Sequence, residues 1–300
     1  MAGPVCIVPA GDRTGEGLVW HAAENALYWT DINRFLIHRF DAATGAVKSW
    51  FFDEPVVSLG LTDRPGLLVA ALGSRIVLWR PADDTRADFA TPEKKVPRSR
   101  LNDGRPGPDG CFWVGSMFNN VGPDGGDIPI TDGSLGTLYR VDSGGRAVVF
   151  KDKVGISNTI CWSPDRRHFY FADTLRNELC VWNYDEAKGA IANERPFFNG
   201  FERGGPDGSS IDSEGYLWNA RYGGGCVVRL TPDGKIDRVV DLPVGNITNC
   251  AFGGTDLKTL YITTAQGGSG PVERLAGSLY ALAVEVPGLP ADTFRLSGRT

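Results

Sequence analysis

An apolar, aromatic-rich strand returns six times along this chain, and no other feature limits the possible folds as strongly. It reads "ALYWTDI" at 26–32, "GLLVAAL" at 66–72, "CFWVGSM" at 111–117, "HFYFADT" at 168–174, "YLWNARY" at 216–222 and "TLYITTA" at 259–265. With Leu27, Leu67, Phe112, Phe169, Leu217 and Leu260 as anchors, successive units are 40 to 57 residues apart, the length of a four-stranded blade. Most anchors follow a hairpin turn such as "GPDGC" or "DSEGY" and lead into a second strand such as "RIVLWR" or "VVRLT". The 39 Gly and 19 Pro supply the turns, and a 3.6-residue apolar period is hard to find anywhere.

Six such units predict an all-β, six-bladed β-propeller occupying residues 1–300 as a single domain. A ring is preferred to a solenoid of 24 strands. Ring closure removes unpaired edges, and the N-terminal "PVCIVPA" lies outside the first unit, free to supply the outer strand of the last blade. The third unit is long because of "FNNVGPDGGDIPITDG" at 118–133, which reads either as a surface loop or as a flap over one face of the ring.

Charge and composition narrow the partner. Net charge is −5, and no basic run extends beyond "EKKVPRSR" at 93–100, which argues against nucleic acid. No segment approaches about 18 unbroken apolar residues, and the first residues lack the basic and apolar regions of a signal peptide. The expectation is a soluble cytoplasmic protein, away from membranes, monomeric by default, with a small-molecule partner. Six dispersed cysteines without a C-x-x-C pair are expected to be reduced core residues.

In a propeller the first strand of each blade lines the central channel, so a fixed offset before the anchor converges on the axis. The position ten or eleven residues before the anchor is Glu16, Asn102, Asn158, Asp207 and Asn249 in five units, and Val56 or Val57 in the second. Asp233 in "TPDGK" and Asp109 in "GPDGC" fall at hairpin turns instead, so the Pro-Asp-Gly around Asp207 is set apart by position. Two carboxylates and several amide oxygens on one axis suit a hard or borderline divalent cation and predict a central metal site. Without one, Glu16 and Asp207 repel each other and one is expected to be protonated. Taken singly, each has a simpler reading: an exposed loop glutamate, a turn asparagine, an Asx-turn. The three histidines, His21, His38 and His168, lie in or beside turns or mid-strand, and no G-x-S-x-G elbow occurs, so a His-based zinc site or a serine triad is not expected.

The stretches "GEGLVWH" (15–21), "RLNDGRPGPDGCFWVGSM" (100–117), "ISNTICWSPDRRHFYFADT" (156–174), "PDGSSIDSEGYLWNARYGGGCVVRLTPDGK" (206–235) and "NCAFGGTDLKTLYITTA" (249–265) resemble the six-bladed senescence marker protein (regucalcin), gluconolactonase and sugar-lactonase family. The resemblance runs from about residue 13 to residue 285. It implies one divalent metal ion held by Glu16, Asn158 and Asp207; an oxygen-rich site with one amide accommodates calcium, zinc, manganese or ferrous iron. It also implies that Arg100 and Asn102 bind substrate hydroxyls or complete the metal shell. Gly-Glu-Gly is followed by Leu18 where the family usually has proline, and Ser-Asn by Thr159 where it usually has glycine. Asn119 and Asn120 stand where some members carry an acidic substrate contact.

The expected activity is hydrolysis of a sugar-derived lactone (pentono- or hexonolactone) to its aldonic acid, with Asp207 as general base and Arg100, Asn102 and Asn120 binding substrate. Two alternatives keep the fold: a non-catalytic calcium-binding or regulatory propeller, and a propeller esterase or phosphotriesterase.

Overall fold

A computed structural model describes residues 3–267 and 273–298. Among them the chain forms six antiparallel sheets, one for each sequence unit, arranged as a six-bladed propeller. The first strand of every sheet lies innermost: Gly15–His21, Val56–Thr62, Ser99–Pro106, Ser157–Trp162, Gly205–Ile211 and Asn246–Gly253. Each inner strand packs against those of both neighbouring blades, so the ring is closed. Anchor strands are sandwiched between blades, which is why "FWVGSMF" at 112–118 is buried at every position and does not alternate. All six cysteines are free, four of them buried, as expected of core residues.

Closure follows the expected route. Val5–Val8 pairs antiparallel with Leu279–Ala283 and becomes the outer strand of blade 6. The other end of the chain was not foreseen. Thr293–Phe294 adds a parallel fifth strand against Leu61 and Thr62 of blade 2, and Phe294 is fully buried there. On the way it crosses one end of the channel, tied by Ser213 N–H to Pro287 O (2.8 Å), Gly288 N–H to Leu257 O (2.9 Å) and Arg295 N–H to Gly110 O (2.9 Å). Beneath it lies a cavity of about 440 Å³ walled by all six inner strands. This is the hairpin end of the ring, opposite the carboxylates described below.

Turn aspartates stitch the hairpins to the core. Asp84, Asp109 and Asp212 each accept an indole N–H from their own blade, from Trp79 (2.9 Å), Trp113 (3.2 Å) and Trp218 (3.0 Å). Asp109 therefore has the structural role its turn position implies, whereas Asp233 is exposed and pairs with its turn neighbours Thr231 and Lys235.

The 118–133 insertion is a flap. It leaves blade 3, passes over the mouth of blade 2 and docks on blade 1, where Asn33 Nδ2 donates to Gly125 O (3.0 Å) and Asp127 Oδ1 (2.9 Å) and Arg13 pairs with Asp127 (3.0 Å). Gly125 is required at this contact: its φ is +77°, and a Cβ would lie 2.1 Å from Asn33 O. Val121 packs with Ile32, Phe35 and Val57 in one cluster. The apolar mouth of blade 2, the one unit without a polar residue at the fixed offset, is thus covered by the flap. Asn33→Ala should weaken this docking by roughly 1–2 kcal/mol. The expected result is protease cleavage within 122–128 of the variant under conditions where the parent survives; equal cleavage rates would assign the docking to other contacts.

Candidate metal and lactone site

Every inner strand carries a register irregularity against its neighbour at the same end of the ring. The shifts fall between Glu16 and Val19, Val56 and Ser58, Leu101 and Gly104, Asn158 and Cys161, Pro206 and Ser209, and Ile247 and Asn249. A bulge breaks the strict alternation of side chains and re-aims one of them. In five blades the residue found by the sequence offset lies inside this irregularity (Asn102, Asp207) or at its edge (Glu16, Asn158, Asn249), and all five are buried.

Hydrogen bonds join these side chains across blade boundaries. Asn249 Nδ2 donates to Glu16 Oε2 (2.7 Å), which also accepts Gly17 N–H (3.0 Å). Gly208, next to Asp207, makes room for that amide: a Cβ there would lie 2.2 Å from the Asn249 side chain. Asn102 Nδ2 donates to Ser157 O (2.9 Å) and Asn158 Oδ1 (3.2 Å). Asn158 Nδ2 donates to Thr174 Oγ1 (2.8 Å), and that hydroxyl donates to Pro206 O (2.7 Å), linking blade 4 to the strand of Asp207. Arg100 is buried and reaches Leu101 O (2.9 Å) and Asn102 Oδ1 (2.7 Å) through Nη1, and Asn120 Oδ1 (2.9 Å) through Nε. The three residues expected to bind substrate therefore form one bank beside the carboxylates.

The electrostatics are those of negative charge without a full counter-charge. Burial, then the charge of Asp103, raises the Glu16 carboxyl to about 7, against the opposing bonds from Asn249 and Gly17. Burial, then Glu16 and Asp103, raises Asp207 well above the ordinary carboxylate range, and the Gly208 amide and Arg100 offset this only in part. Arg100 is itself pushed down to about 10 by burial although both carboxylates favour its charge.

Asp103 escaped the sequence offset. It sits nine residues before its anchor, inside the blade 3 bulge that holds two residues, and burial raises its carboxyl. Its backbone partner is Ile160 N–H (3.3 Å), so it braces blade 4 from below the site. The Asn-Asp-Gly string was the available signal. Tyr222, 43 % exposed, was also missed; burial raises its hydroxyl, and the charges of Asp207 and Asp127 add to this.

The donor set fits a divalent cation. Glu16, Asp207 and Asn158 bring two carboxylates and an amide oxygen to one end of the axis, the carboxylates destabilise each other, and Asp207 receives no side-chain donor among the described residues. No group of three or more His, Cys, Asp and Glu side chains able to hold a metal occurs among the described residues, so any such site depends on amide oxygens.

Next to these residues Thr159 holds φ at +56°, a conformation that costs a β-branched residue on the order of 1–3 kcal/mol.

The profile of the SMP-30/Gluconolactonase/LRE-like region matches residues 14–266. A 6-deoxy-6-sulfogluconolactonase from Pseudomonas putida is 35 % identical over 296 residues, covering 96 % of this chain and 97 % of that protein. Regucalcin from Oryctolagus cuniculus is 34 % identical over 268 residues, covering 89 % and 88 %. The crystal structure of a calcium-binding protein, regucalcin, from Agrobacterium tumefaciens superposes with a TM-score of 0.90 at 27 % identity, covering 98 % of both chains. Among the described residues no helix is long and apolar enough to cross a membrane.

Proposed function

The chain belongs to the SMP-30/gluconolactonase/LRE-like family, and from that premise we propose that it is a metal-dependent hydrolase opening a sugar-derived lactone to its aldonic acid. The observation that carries the reading is the pairing of a buried carboxylate–amide cluster, Glu16, Asn158 and Asp207, with a hydrogen-bonded bank of Arg100, Asn102 and Asn120. A divalent cation held by the first group supplies Lewis acidity at the lactone carbonyl and the positive charge that keeps both carboxylates ionised.

The protein's own groups do the rest. Asp207 takes a proton from the water that attacks the carbonyl carbon and returns it to the ring oxygen as the ring C–O bond breaks, since no side chain donates to its carboxylate among the described residues. Asn249 and Gly17 both donate to one oxygen of Glu16, and the other receives no donor among the described residues. Arg100 commits Nη1 and Nε to neighbours and keeps Nη2 for a ring hydroxyl, while its bonds hold Asn102 and Asn120 in register. The flap, docked on blade 1, starts from the segment that carries Asn120 to Arg100. Bound polyols need many directional contacts, and this bank of amides and one guanidinium suits them better than an apolar substrate.

Proton release from a panel of pentono- and hexonolactones tests the reading, using protein stripped of metal and re-supplied with calcium, manganese, zinc or ferrous ion. Cation-dependent acid production above the spontaneous rate is expected. A second reading, a calcium-binding propeller without turnover, is favoured by the Agrobacterium tumefaciens relative, whose name describes calcium binding. It predicts tight calcium binding with every lactone opening at its background rate.

Arg100→Met should raise KM at least about 10-fold with a smaller change in kcat, because it removes a charge-assisted contact made before and during reaction. An unchanged KM would remove Arg100 from substrate binding.

A further inference from the structure

Asp207 lies in a bulge, so its main-chain carbonyl has no ladder partner from the neighbouring strand; the register jumps from Pro206 to Ser209. Buried carbonyls need donors, and this one finds two. Thr159 Oγ1 reaches it at 2.5 Å from blade 4, and Asn219 Nδ2 at 3.2 Å from the second strand of blade 5. The same threonine oxygen contacts Ser209 Oγ (2.9 Å) and accepts from Asn219 Nδ2 (3.3 Å), and Asn219 also donates to Ser209 Oγ (2.9 Å). Thr159, Ser209 and Asn219 are fully buried.

The backbone at Thr159 makes this bond conspicuous. Its φ of +56° repeats that of Gly17 (+59°), which follows Glu16 in blade 1 as Thr159 follows Asn158 in blade 4. Glycine holds such a conformation without strain, whereas a β-branched residue does not. At Thr159 the strained residue carries a hydroxyl that leaves its own blade and ties down the strand bearing Asp207.

We propose that Thr159 is a positioning residue: its hydroxyl bridges blades 4 and 5 and fixes the bulge that aims Asp207 at the same point as its chain neighbour Asn158. This rests on the lactonase reading for its kinetic consequence, but its structural consequence, a correctly spaced pair of oxygen donors, does not depend on turnover.

Three substitutions separate hydroxyl from backbone. Thr159→Ser keeps the hydroxyl, Thr159→Val keeps the branching without it, and Thr159→Gly relieves the strain and deletes the bond. In cation-loaded enzyme, Thr159→Gly and Thr159→Val are expected to lose at least about 10-fold in kcat with KM within about 3-fold, since the lost interaction orients a catalytic group and does not bind substrate. Thr159→Ser should stay within about 3-fold of the parent in both.

Calorimetric titration of the stripped proteins with manganese should give a dissociation constant about 10-fold weaker for the Gly and Val variants and restored for Ser. The Gly variant is expected to fold, so a valine variant that fails to fold leaves the test intact. Parental kcat and manganese affinity in Thr159→Gly, or a loss in Thr159→Ser equal to that in Thr159→Gly, would overturn the proposal. If the parent opens no lactone, the lactonase reading has failed and the manganese constants alone decide the role of Thr159.

Discussion

Asp207→Ala is expected to lower lactone turnover by at least about 1,000-fold, the scale of losing a residue that moves the reacting proton. It should do so while making the metal-stripped propeller more stable. Asp207 is buried with its carboxyl raised by burial and by the neighbouring charges of Glu16 and Asp103, so its removal deletes an unfavourable charge that outweighs the one main-chain bond lost, from Gly208 N–H. No side chain donates to its carboxylate among the described residues, and the main-chain bonds from Thr159 and Asn219 are independent of the side chain. Proton release and thermal melting of stripped protein check both halves. Near-parental activity would defeat the assignment of Asp207; a large fall in melting temperature would mean that the carboxylate is a structural group.

The second large effect is a pH dependence of stability that a cation abolishes. The Glu16 carboxyl is raised from 4.5 to about 7 in the folded state, so the fold favours its protonated form. Between these values the folded chain retains a proton that the unfolded chain has released, and stability therefore falls as pH rises from about 4.5 through 7. For Glu16 this amounts to on the order of 3 kcal/mol. Asp207 and Asp103 shift in the same direction. The carboxylates held low, such as Asp53 and Asp165, lose their contribution at more acidic pH and leave this window unaffected.

Chemical denaturation of stripped protein should thus give higher stability at pH 5 than at pH 8. Excess divalent cation should remove the difference, because binding to the ionised site adds stability where the carboxylates are charged. Glu16→Gln should flatten the profile without a cation. Stripped protein that is more stable at pH 8 would contradict the electrostatics described for this cluster.

The fold was legible because a propeller repeats itself: six anchors with a shared spacing and alternating turn signals need no tertiary information to be counted. The N-terminal strand could be assigned because one strand remained over and one blade lacked its outer edge. Thr293–Phe294 had no such signal, since two residues are too few for periodicity and their pairing with blade 2 depends on a crossing contact made 230 residues away.

Most of the site followed from an offset, since the first strand of each blade is bound to line the axis. The bulges set its limits. A strand that bulges turns two consecutive residues inward, so the offset found Asn102 and passed over Asp103.

Alone, the sequence determined the number of blades, the closing strand and the oxygen-rich character of the channel mouth, all properties set by local period and residue type. Tertiary structure decided which groups share charge, that the 118–133 segment is a seated flap, and that Thr159 grips the strand of Asp207. Those depend on contacts between blades, where burial removes the solvent that would screen a charge or satisfy a carbonyl, and no local pattern encodes which distant residue takes its place.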